Sequence, residues 1–343
     1  MQPGAPERLD LYFTTVMRVL HVEGSFEGFE KWFSSLCSST VEWTGTGGQK
    51  YEYLELAQDG ETGSVSDVLS RALAIRYWYD ELPRKEKWVR VVNGEKGGLD
   101  SKPRPARVLV FHSADLIWLF PHLLIIRGSE EDANEALSRF EDRAQSRMGF
   151  ERQTFNPYFL FWIWRKWSTN KNVDDTQADV EISKMLKVRK IRDAVALGLP
   201  SQTGETVSID EMETRASLPL LQTLLSGRGF LELRATFEIS TGDLLLARVA
   251  SNGTVRIHVA ESIRSSDSLA RRFGLSLLFI DELVKAFHDW QKLPNDEREP
   301  TEEVYGEIKR TIEDRWAKYI KEDGDIRKAL SKREDRRART RRP

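Results

Sequence analysis

Residues 230–260, FLELRATFEISTGDLLLARVASNGTVRIHVA, carry the clearest structural pattern in the chain. Apolar and polar side chains alternate through residues 230–239, which is typical of a strand with one buried face. A polar turn at residues 240–243 leads to a second apolar run, and Asn252-Gly253 favours a tight hairpin before a third. We therefore predict three antiparallel strands. The apolar face of the first is expected to hold Leu231, Leu233, Ala235, Phe237 and Ile239.

The opposite face of these predicted strands is polar and rich in cations. The cations are Arg234, Arg248, Arg256 and His258. If these side chains lie together, they form a cationic strip. Glu232 and Glu238 on the same face favour a solvated charge mosaic instead, because cross-strand pairs with these acids would neutralise the cations.

A small three-stranded sheet is marginal in water unless something covers its apolar face. The helix predicted from Asp267 to Lys292 supplies a cover, because its apolar residues recur at helical spacing. Upstream, a strand at residues 11–22 precedes a helix capped by Ser25. Further helices are predicted from Ser64 or Ser66 to Tyr79 and from Ser129 to Arg147. We therefore predict an α+β fold of small antiparallel or mixed sheets, each covered by amphipathic helices, with a C-terminal basic helical tail.

The length of 343 residues is enough for two or three domains. Runs rich in Gly, Pro and charge at residues 93–107 and 198–208 are linker candidates, because they lack periodicity. We predict an N-terminal α+β unit, a second α+β unit with an aromatic strand and a basic helix, a meander with its covering helix, and a C-terminal helix with a basic tail. The expected bounds are residues 1–100, 106–200, 206–296 and 297–343.

Residues 155–171, FNPYFLFWIWRKWSTNK, combine a dense aromatic run with cations. A continuous apolar run of this length is typical of a strand buried on both faces. Aromatic rings beside Arg and Lys would also suit a platform on which nucleic-acid bases stack, or an element at a membrane surface. We expect a mixed arrangement in which Phe159, Phe161 and Ile163 are buried while Trp167 and its neighbouring cations lie at the rim.

Two further segments are strongly basic, although the formal net charge of the chain is only −2. Apolar residues spaced through residues 180–197 predict an amphipathic helix whose other sides are basic. Residues 326–343 contain nine Lys or Arg and two acids, so the rest of the chain is acidic. Two basic segments on an acidic body favour a polyanionic partner.

No motif for catalysis, metal or cofactor binding is found in the sequence. Glycine-rich nucleotide loops are missing, the five histidines are scattered, and the single cysteine, Cys37, excludes an intramolecular disulfide or a multi-cysteine zinc site. No cofactor and no metal are expected. A secretory signal and a membrane span are also not predicted, so we expect a cytoplasmic protein.

We predict a non-enzymatic protein that binds nucleic acid, DNA or RNA, as an accessory subunit of a nucleoprotein complex. The first alternative is an adaptor that docks a protein partner through the aromatic stretch. The second is an enzyme, a nuclease or hydrolase, with a site built from distant residues such as His112, Asp115 and His122. The predicted nucleic-acid-binding residues are Arg165, Lys166, Trp167, Lys171, Lys184, Lys187, Arg189, Lys190, Arg192, Lys332, Arg333, Arg336, Arg337, Arg339, Arg341 and Arg342.

Overall fold

The computed structural model of the chain describes residues 12–38, 49–54, 56, 63–81, 87–89, 92–93, 98–99, 104–106, 110–144, 147–169, 180–196, 207–209, 230–258 and 268–322. The strands are β1 (Tyr12–Val22), β2 (Gln49–Leu54), β3 (Ala72–Glu81), β4 (Lys87–Val89), β5 (Val92–Asn93), β6 (Gly98–Leu99), β7 (Arg104–Ala106), β8 (Val110–Leu119), β9 (Leu123–Arg127), β10 (Met148–Arg152), β11 (Val180–Glu181), β12 (Lys187–Ala196), β13 (Val207–Ile209), β14 (Phe230–Glu238), β15 (Leu244–Ala250) and β16 (Thr254–Ile257). The helices are α1 (Phe26–Ser38), α2 (Ser64–Leu69), α3 (Glu130–Ala144), α4 (Pro157–Thr169), α5 (Leu269–Gln291), α6 (Asn295–Arg298) and α7 (Glu302–Glu322).

Most of the described strands belong to one large antiparallel sheet, in the order β11-β12-β14-β15-β16-β1-β9-β8-β3-β2, with β10 paired to β1 and β13 to β12. The predicted α+β fold of several small sheets, each covered by its own helices, is therefore wrong. The reason is β1, which pairs with β9 along one edge and with β16 and β10 along the other. Strands far apart in sequence thus join one sheet, and side-chain periodicity does not identify such partners.

By its contacts the chain divides into two compact units. Unit 1 comprises residues 1–154, 241–247 and 252–282, and unit 2 comprises residues 155–240, 248–251 and 283–343. Each unit combines segments that are distant in sequence, whereas the predicted domain bounds follow the chain in order.

In unit 1, strands of the large sheet pack against α1 and α3. Phe29 and Phe33 of α1 contact Trp118 of β8, with ring centroids 4.3 and 6.0 Å apart. Phe140 of α3 lies 5.8 Å from Phe33, so both helices share one core. The predicted cap of α1 is confirmed, since the Oγ of Ser25 accepts a hydrogen bond from the backbone N–H of Gly28 at 3.3 Å.

The helix predicted from Ser64 to Tyr79 is wrong over most of its length. α2 ends at Leu69, and β3 then runs between β2 and β8. Leu73, Ile75 and Tyr77 are buried on one face of β3 at a period of two, which belongs to a strand. α2 also packs closely on α5: a Cβ on Gly274 would lie 2.6 Å from a methyl carbon of Val65, so this contact requires glycine.

The predicted meander strands are confirmed as β14, β15 and β16. The hairpin between β15 and β16 depends on Gly253, which has a φ of 86°. A Cβ there would also lie 1.8 Å from the backbone oxygen of Gln153. The helices predicted at residues 129–147 and 267–292 are confirmed as α3 and α5, with small differences at their ends, and the C-terminal helix predicted within residues 297–343 is confirmed as α7.

In unit 2, the aromatic stretch forms the helix α4, and the predicted buried strand is wrong. Pro157 occupies the first turn, where its missing N–H has no helical partner to lose. The Oδ1 of Asn156 accepts a hydrogen bond from the backbone N–H of Tyr158 at 2.8 Å, so Asn156 caps the helix. Among the described residues, no helix has both the length and the apolar character needed to cross a bilayer.

The basic helix predicted over residues 180–197 is also wrong, because this segment forms β11 and β12. The buried residues Val188, Ile191 and Ala194 recur every third position, which resembles helical spacing. In the structure this period of three comes from two β-bulges in β12. Each bulge adds one residue to β12 relative to its partner β14.

Candidate nucleic-acid interface

The pairing of β12 with β14 decides where the cations of the basic segment lie. Lys187 is opposite Glu238, Lys190 is opposite Thr236, and Asp193 is opposite Arg234. Between these pairs the register shifts twice, so that Arg189 and Arg192 are the added residues of the two bulges. The bulges therefore raise the number of cations that one strand carries along one face.

The other face of the same strands is apolar and buried. Val188, Ile191 and Ala194 lie opposite Phe237, Ala235 and Leu233. All six side chains are at most 1% exposed. Residues directly opposite one another in an antiparallel pair share a face, so the cations of β12 lie on the side away from this core.

A third irregularity near the start of β14 moves a large aromatic residue into the core. Ala196 is opposite Phe230 and Val195 is opposite Glu232, which leaves Leu231 as the added residue. Phe230 is fully buried and contacts Phe161 and Trp164 of α4, with ring centroids 6.1 and 5.8 Å apart. Sequence alternation assigned Leu231 to the apolar face, but Leu231 is only half-buried and Phe230 occupies that face.

Six cations of unit 2 lie on the polar face of these strands, and we call them the cationic strand face. They are Lys187, Arg189, Lys190 and Arg192 of β12, Arg234 of β14 and Arg248 of β15. Glu232, Glu238 and Asp193 belong to the same strands, and Glu181 of β11 is opposite Lys187, so the formal charge of these ten residues is +2. The expected cross-strand neutralisation is thus present in part.

The ion pairs on this face involve both glutamates. Glu238 pairs with Arg189 and lies 3.7 Å from the Nζ of Lys187. Glu232 accepts from Arg248 at 2.8 Å. Lys190 is exposed, and the Nε of Arg192 lies 3.5 Å from the Oγ1 of Thr236. The acids therefore hold part of the cationic side chains in place, and the net charge stays positive.

A structural explanation for a bulged, basic strand is protection of a sheet edge. β11 pairs with residues 187–188 of β12 and β13 pairs with residues 194–196; among the described residues, no strand pairs with the outer edge of residues 189–193. Bulges and Lys or Arg on such an edge prevent association with another sheet. Edge protection does not require Arg234 and Arg248, however, which lie on β14 and β15, inward from that edge.

The remaining predicted binding residues lie elsewhere. Lys184 is exposed in the turn between β11 and β12. On α4, Trp167 is only 7% exposed, Arg165 is half-buried, and the exposed Lys166 has its Nζ 4.4 Å from the ring centroid of Trp162. The residues outside the described part of the chain are Lys171, Lys332, Arg333, Arg336, Arg337, Arg339, Arg341 and Arg342.

The burial of α4 bears on both functional interpretations of the aromatic stretch. Phe159, Phe161, Trp162, Trp164 and Trp167 are all at most 7% exposed. Their rings therefore offer almost no surface for stacking bases or for docking a partner.

The predicted cationic strip is divided between the two units. Arg234 and Arg248 belong to unit 2, whereas Arg256 and His258 belong to unit 1.

Unit 1 contains a different polar cluster, which sequence reasoning missed. Asp132, in the first turn of α3, accepts hydrogen bonds from the Ser129 hydroxyl at 2.6 Å and the Tyr79 hydroxyl at 2.8 Å. The Nδ1 of His112 lies 2.9 Å from the same carboxylate. The backbone N–H of Asp132 donates to the Oγ of Ser129 at 3.1 Å. The sequence signal was the Ser129-x-x-Asp132 spacing, which resembles a capping box.

The carboxylate of Asp132 is ionised and is stabilised by hydrogen bonds from its neighbours. Burial by itself raises the pKa of Asp132, but hydrogen bonds from Ser129, Tyr79 and His112 outweigh it and lower the pKa below its ordinary value. Burial and the hydrogen bond to Asp132 raise the pKa of Tyr79. Asp132 is thus ionised at neutral pH while Tyr79 stays protonated.

The three residues of the enzyme hypothesis do not converge. His112 pairs with Asp132, whereas Asp115 accepts from Arg76 at 2.6 Å and lies 3.3 Å from Arg127. His112 and Asp115 are three positions apart on β8, so they point to opposite faces of the sheet. His122 is exposed in the turn after β8.

A cavity of about 570 Å³ in unit 1 is lined by Tyr79, Asp80, Glu131, Asn134 and Glu135. Three carboxylates among five lining residues make it unsuitable for a polyanion. Among the described residues, no group of three or more His, Cys, Asp or Glu could hold a metal ion. Burial raises the pKa of the Cys37 thiol to about 11, so this cysteine is protonated at neutral pH and is a poor nucleophile.

Comparison with known proteins finds no family model that matches the chain and no curated protein with significant similarity to it. Functional inference therefore rests on the geometry of these two regions.

Proposed function

We propose that the chain binds nucleic acid through the cationic strand face of unit 2. The observation that carries the proposal is the pair of bulges in β12, which turns four cations within six residues toward one side of the sheet. A cytoplasmic location and membership of a nucleoprotein complex remain part of the proposal.

Electrostatic attraction to phosphates supplies the binding free energy in this proposal. A cation that neutralises a phosphate releases a condensed counterion. For each such contact, the logarithm of the observed binding constant falls by about 0.9 per tenfold rise in salt concentration for duplex DNA, and by about 0.7 for single strands. The ion pairs already present oppose binding only weakly, because partly exposed pairs of this kind contribute roughly 0–1 kcal/mol each. A phosphate can therefore replace or share a glutamate partner at little cost.

The basic tail, residues 326–343, is a second contributor in this proposal. It lies outside the described residues, and its part in binding can be separated from that of the strand face by truncation. If both contribute, removing the tail reduces the salt dependence and leaves a residual component that depends on β12.

The test is charge reversal on the strand face. In the double variant Lys190→Glu, Arg192→Glu, we expect affinity for DNA or RNA at ~50 mM salt to fall by about tenfold to a hundredfold, as measured by fluorescence anisotropy. For duplex DNA, the slope of the logarithm of the binding constant against the logarithm of the salt concentration should become shallower by about 1.8, because two contacts are lost. The matched control is Lys309→Glu, Arg310→Glu, which makes the same charge change at exposed positions of α7.

Two outcomes would contradict the proposal. One is that wild type and both variants fail to bind DNA and RNA at low salt. The other is an equal loss of affinity in the strand-face variant and the α7 control, since that result would reflect net charge and not the surface. Far-ultraviolet circular dichroism of each variant checks that the fold is kept.

A further inference from the structure

We infer that the cationic strand face binds one linear phosphate chain along β12 and makes no contact with bases. This inference rests on the proposed function and adds the chemical class of the ligand. The shared chemistry is a run of phosphate groups at regular spacing, which nucleic acid and inorganic polyphosphate both present.

The spacing of the cations is the first reason. Lys187 and Lys190 are three residues apart in β12, but they face Glu238 and Thr236, which are only two residues apart in β14. Two residues of a strand span about 7 Å. The backbone positions of Lys187 and Lys190 are therefore about 7 Å apart along the strand, and the bulge between them adds Arg189. Four of the six cations thus form one row, which suits one phosphate backbone.

The chemistry of the face is the second reason. Apart from its charged residues, the described part of this face in unit 2 carries only aliphatic and small polar side chains such as Leu231 and Thr236, with no aromatic ring. Base recognition needs stacking rings or side chains that reach base edges. The rings of α4 are buried, and Phe161 and Trp164 pack on Phe230, on the side of the sheet away from the cations.

The experiment compares three labelled ligands with equal numbers of phosphates: oligo(dA), oligo(dT) and linear inorganic polyphosphate. Binding to the full-length protein is measured by anisotropy at one low salt concentration. We expect the two oligonucleotides to agree within about twofold and polyphosphate to bind within about tenfold of them, because stacked bases would separate purine from pyrimidine polymers by more than this. Lys190→Glu, Arg192→Glu is expected to weaken all three ligands by a similar factor.

The outcomes separate this inference from the proposed function. A preference above about tenfold for one oligonucleotide, or for nucleic acid over polyphosphate, overturns the phosphate-only inference. If the strand-face variant still loses oligonucleotide affinity in that case, the proposed function stands. If none of the three ligands binds, both fail. The ratio of affinities for polyphosphate and oligonucleotide at equal phosphate number also states which of the two sources the face prefers.

Discussion

The Asp132 cluster in unit 1 and the cationic strand face in unit 2 are both half-buried and charged, but their charges are balanced differently. In the Asp132 cluster, one carboxylate receives hydrogen bonds from Ser129, Tyr79 and His112. The strands of the cationic strand face carry six cations, of which Arg189, Lys187 and Arg248 form ion pairs with Glu238 or Glu232, and Glu181 is opposite Lys187. Hydrogen bonds satisfy the carboxylate of the first region, whereas the second region has a formal charge of +2.

This difference distinguishes the structural role of the Asp132 cluster from the binding role that we propose for the strand face. A half-buried acid that is surrounded by donors is stabilised within the protein and has little capacity left for a ligand. Asp115, which lies between Arg76 and Arg127, shows the same pattern. A positive formal charge on the strand face instead attracts a polyanion, as the proposed function requires.

The largest expected effect tests whether the bulges place the cations. Deleting Ile191, which lies between the two bulges opposite Ala235, leaves only charged residues between Val188 and Ala194 to take its place on the buried face. We expect unit 2 to lose at least about 3 kcal/mol of stability in urea unfolding. Deleting Arg192 removes only the added residue of one bulge and keeps Val188, Ile191 and Ala194 on the buried face, so we expect a loss of about 1 kcal/mol or less. Equal losses in the two deletion variants would contradict the assigned register.

The next effect concerns the satisfied acid. Asp132→Asn replaces the charged acceptor of three hydrogen bonds, and we expect it to lower the free energy of unfolding by about 1–3 kcal/mol. Nucleic-acid affinity should not change. The matched control is Glu131→Gln, an exposed position in the same helical turn, which should stay within about 0.5 kcal/mol of wild type. If Asp132→Asn instead weakened nucleic-acid binding and left stability unchanged, the structural role of Asp132 would be contradicted.

A smaller effect follows from the lowered pKa of Asp132. Its pKa in the folded protein lies below that in the unfolded chain, so the stabilisation is present above the unfolded pKa and is lost as pH falls through the folded pKa. The stability difference between wild type and Asp132→Asn should therefore shrink as the solution is acidified below the ordinary pKa of an aspartate. Urea unfolding over a pH series measures this difference, and a difference that stayed constant in acid would show that the charge of Asp132 contributes nothing.

The smallest expected effect comes from removing one acid from the strand face, which makes its formal charge more positive. Glu238→Gln removes the acid that pairs with Arg189 and Lys187, so we expect nucleic acid to bind about twofold to fivefold more tightly at low salt. Glu313→Gln on α7 makes the same charge change at an exposed position and serves as the control. Tighter binding in both variants alike would indicate an effect of net charge alone.

Local signals in the sequence predicted several elements correctly and failed at three places. Alternation and turn residues identified β14, β15 and β16, and Ser25 identified the start of α1. At α4 the aromatic run concealed the helix, although Asn156 and Pro157 were start signals that could have been used. In β3, the apolar residues after α2 were interpreted with the spacing of a helix, whereas they alternate with the period of two of a strand. At β12 the two bulges produced a spacing that resembles a helix.

In the candidate site, too, the sequence predicted individual residues but not their arrangement. Lys187, Arg189, Lys190 and Arg192 were predicted binding residues from composition, and Arg234 and Arg248 were named for the cationic strip. Their common face could not be deduced, because β12 was expected to be a helix. The Asp132 cluster was missed entirely, since Tyr79, His112 and Asp132 come from three elements that only the folded sheet brings together.

The amino-acid sequence alone determined the local features of this protein: the strand alternation and hairpin turn of residues 230–258, the helix start at Ser25, and the number of cations in residues 187–192. These depend on neighbours within a few residues, so a linear pattern records them. Only the tertiary structure decided that β1 pairs with β9, β10 and β16, that α4 is buried, and that two bulges turn the cations of β12 to one side. Those outcomes depend on long-range pairing and on packing against a common core, which no local period specifies.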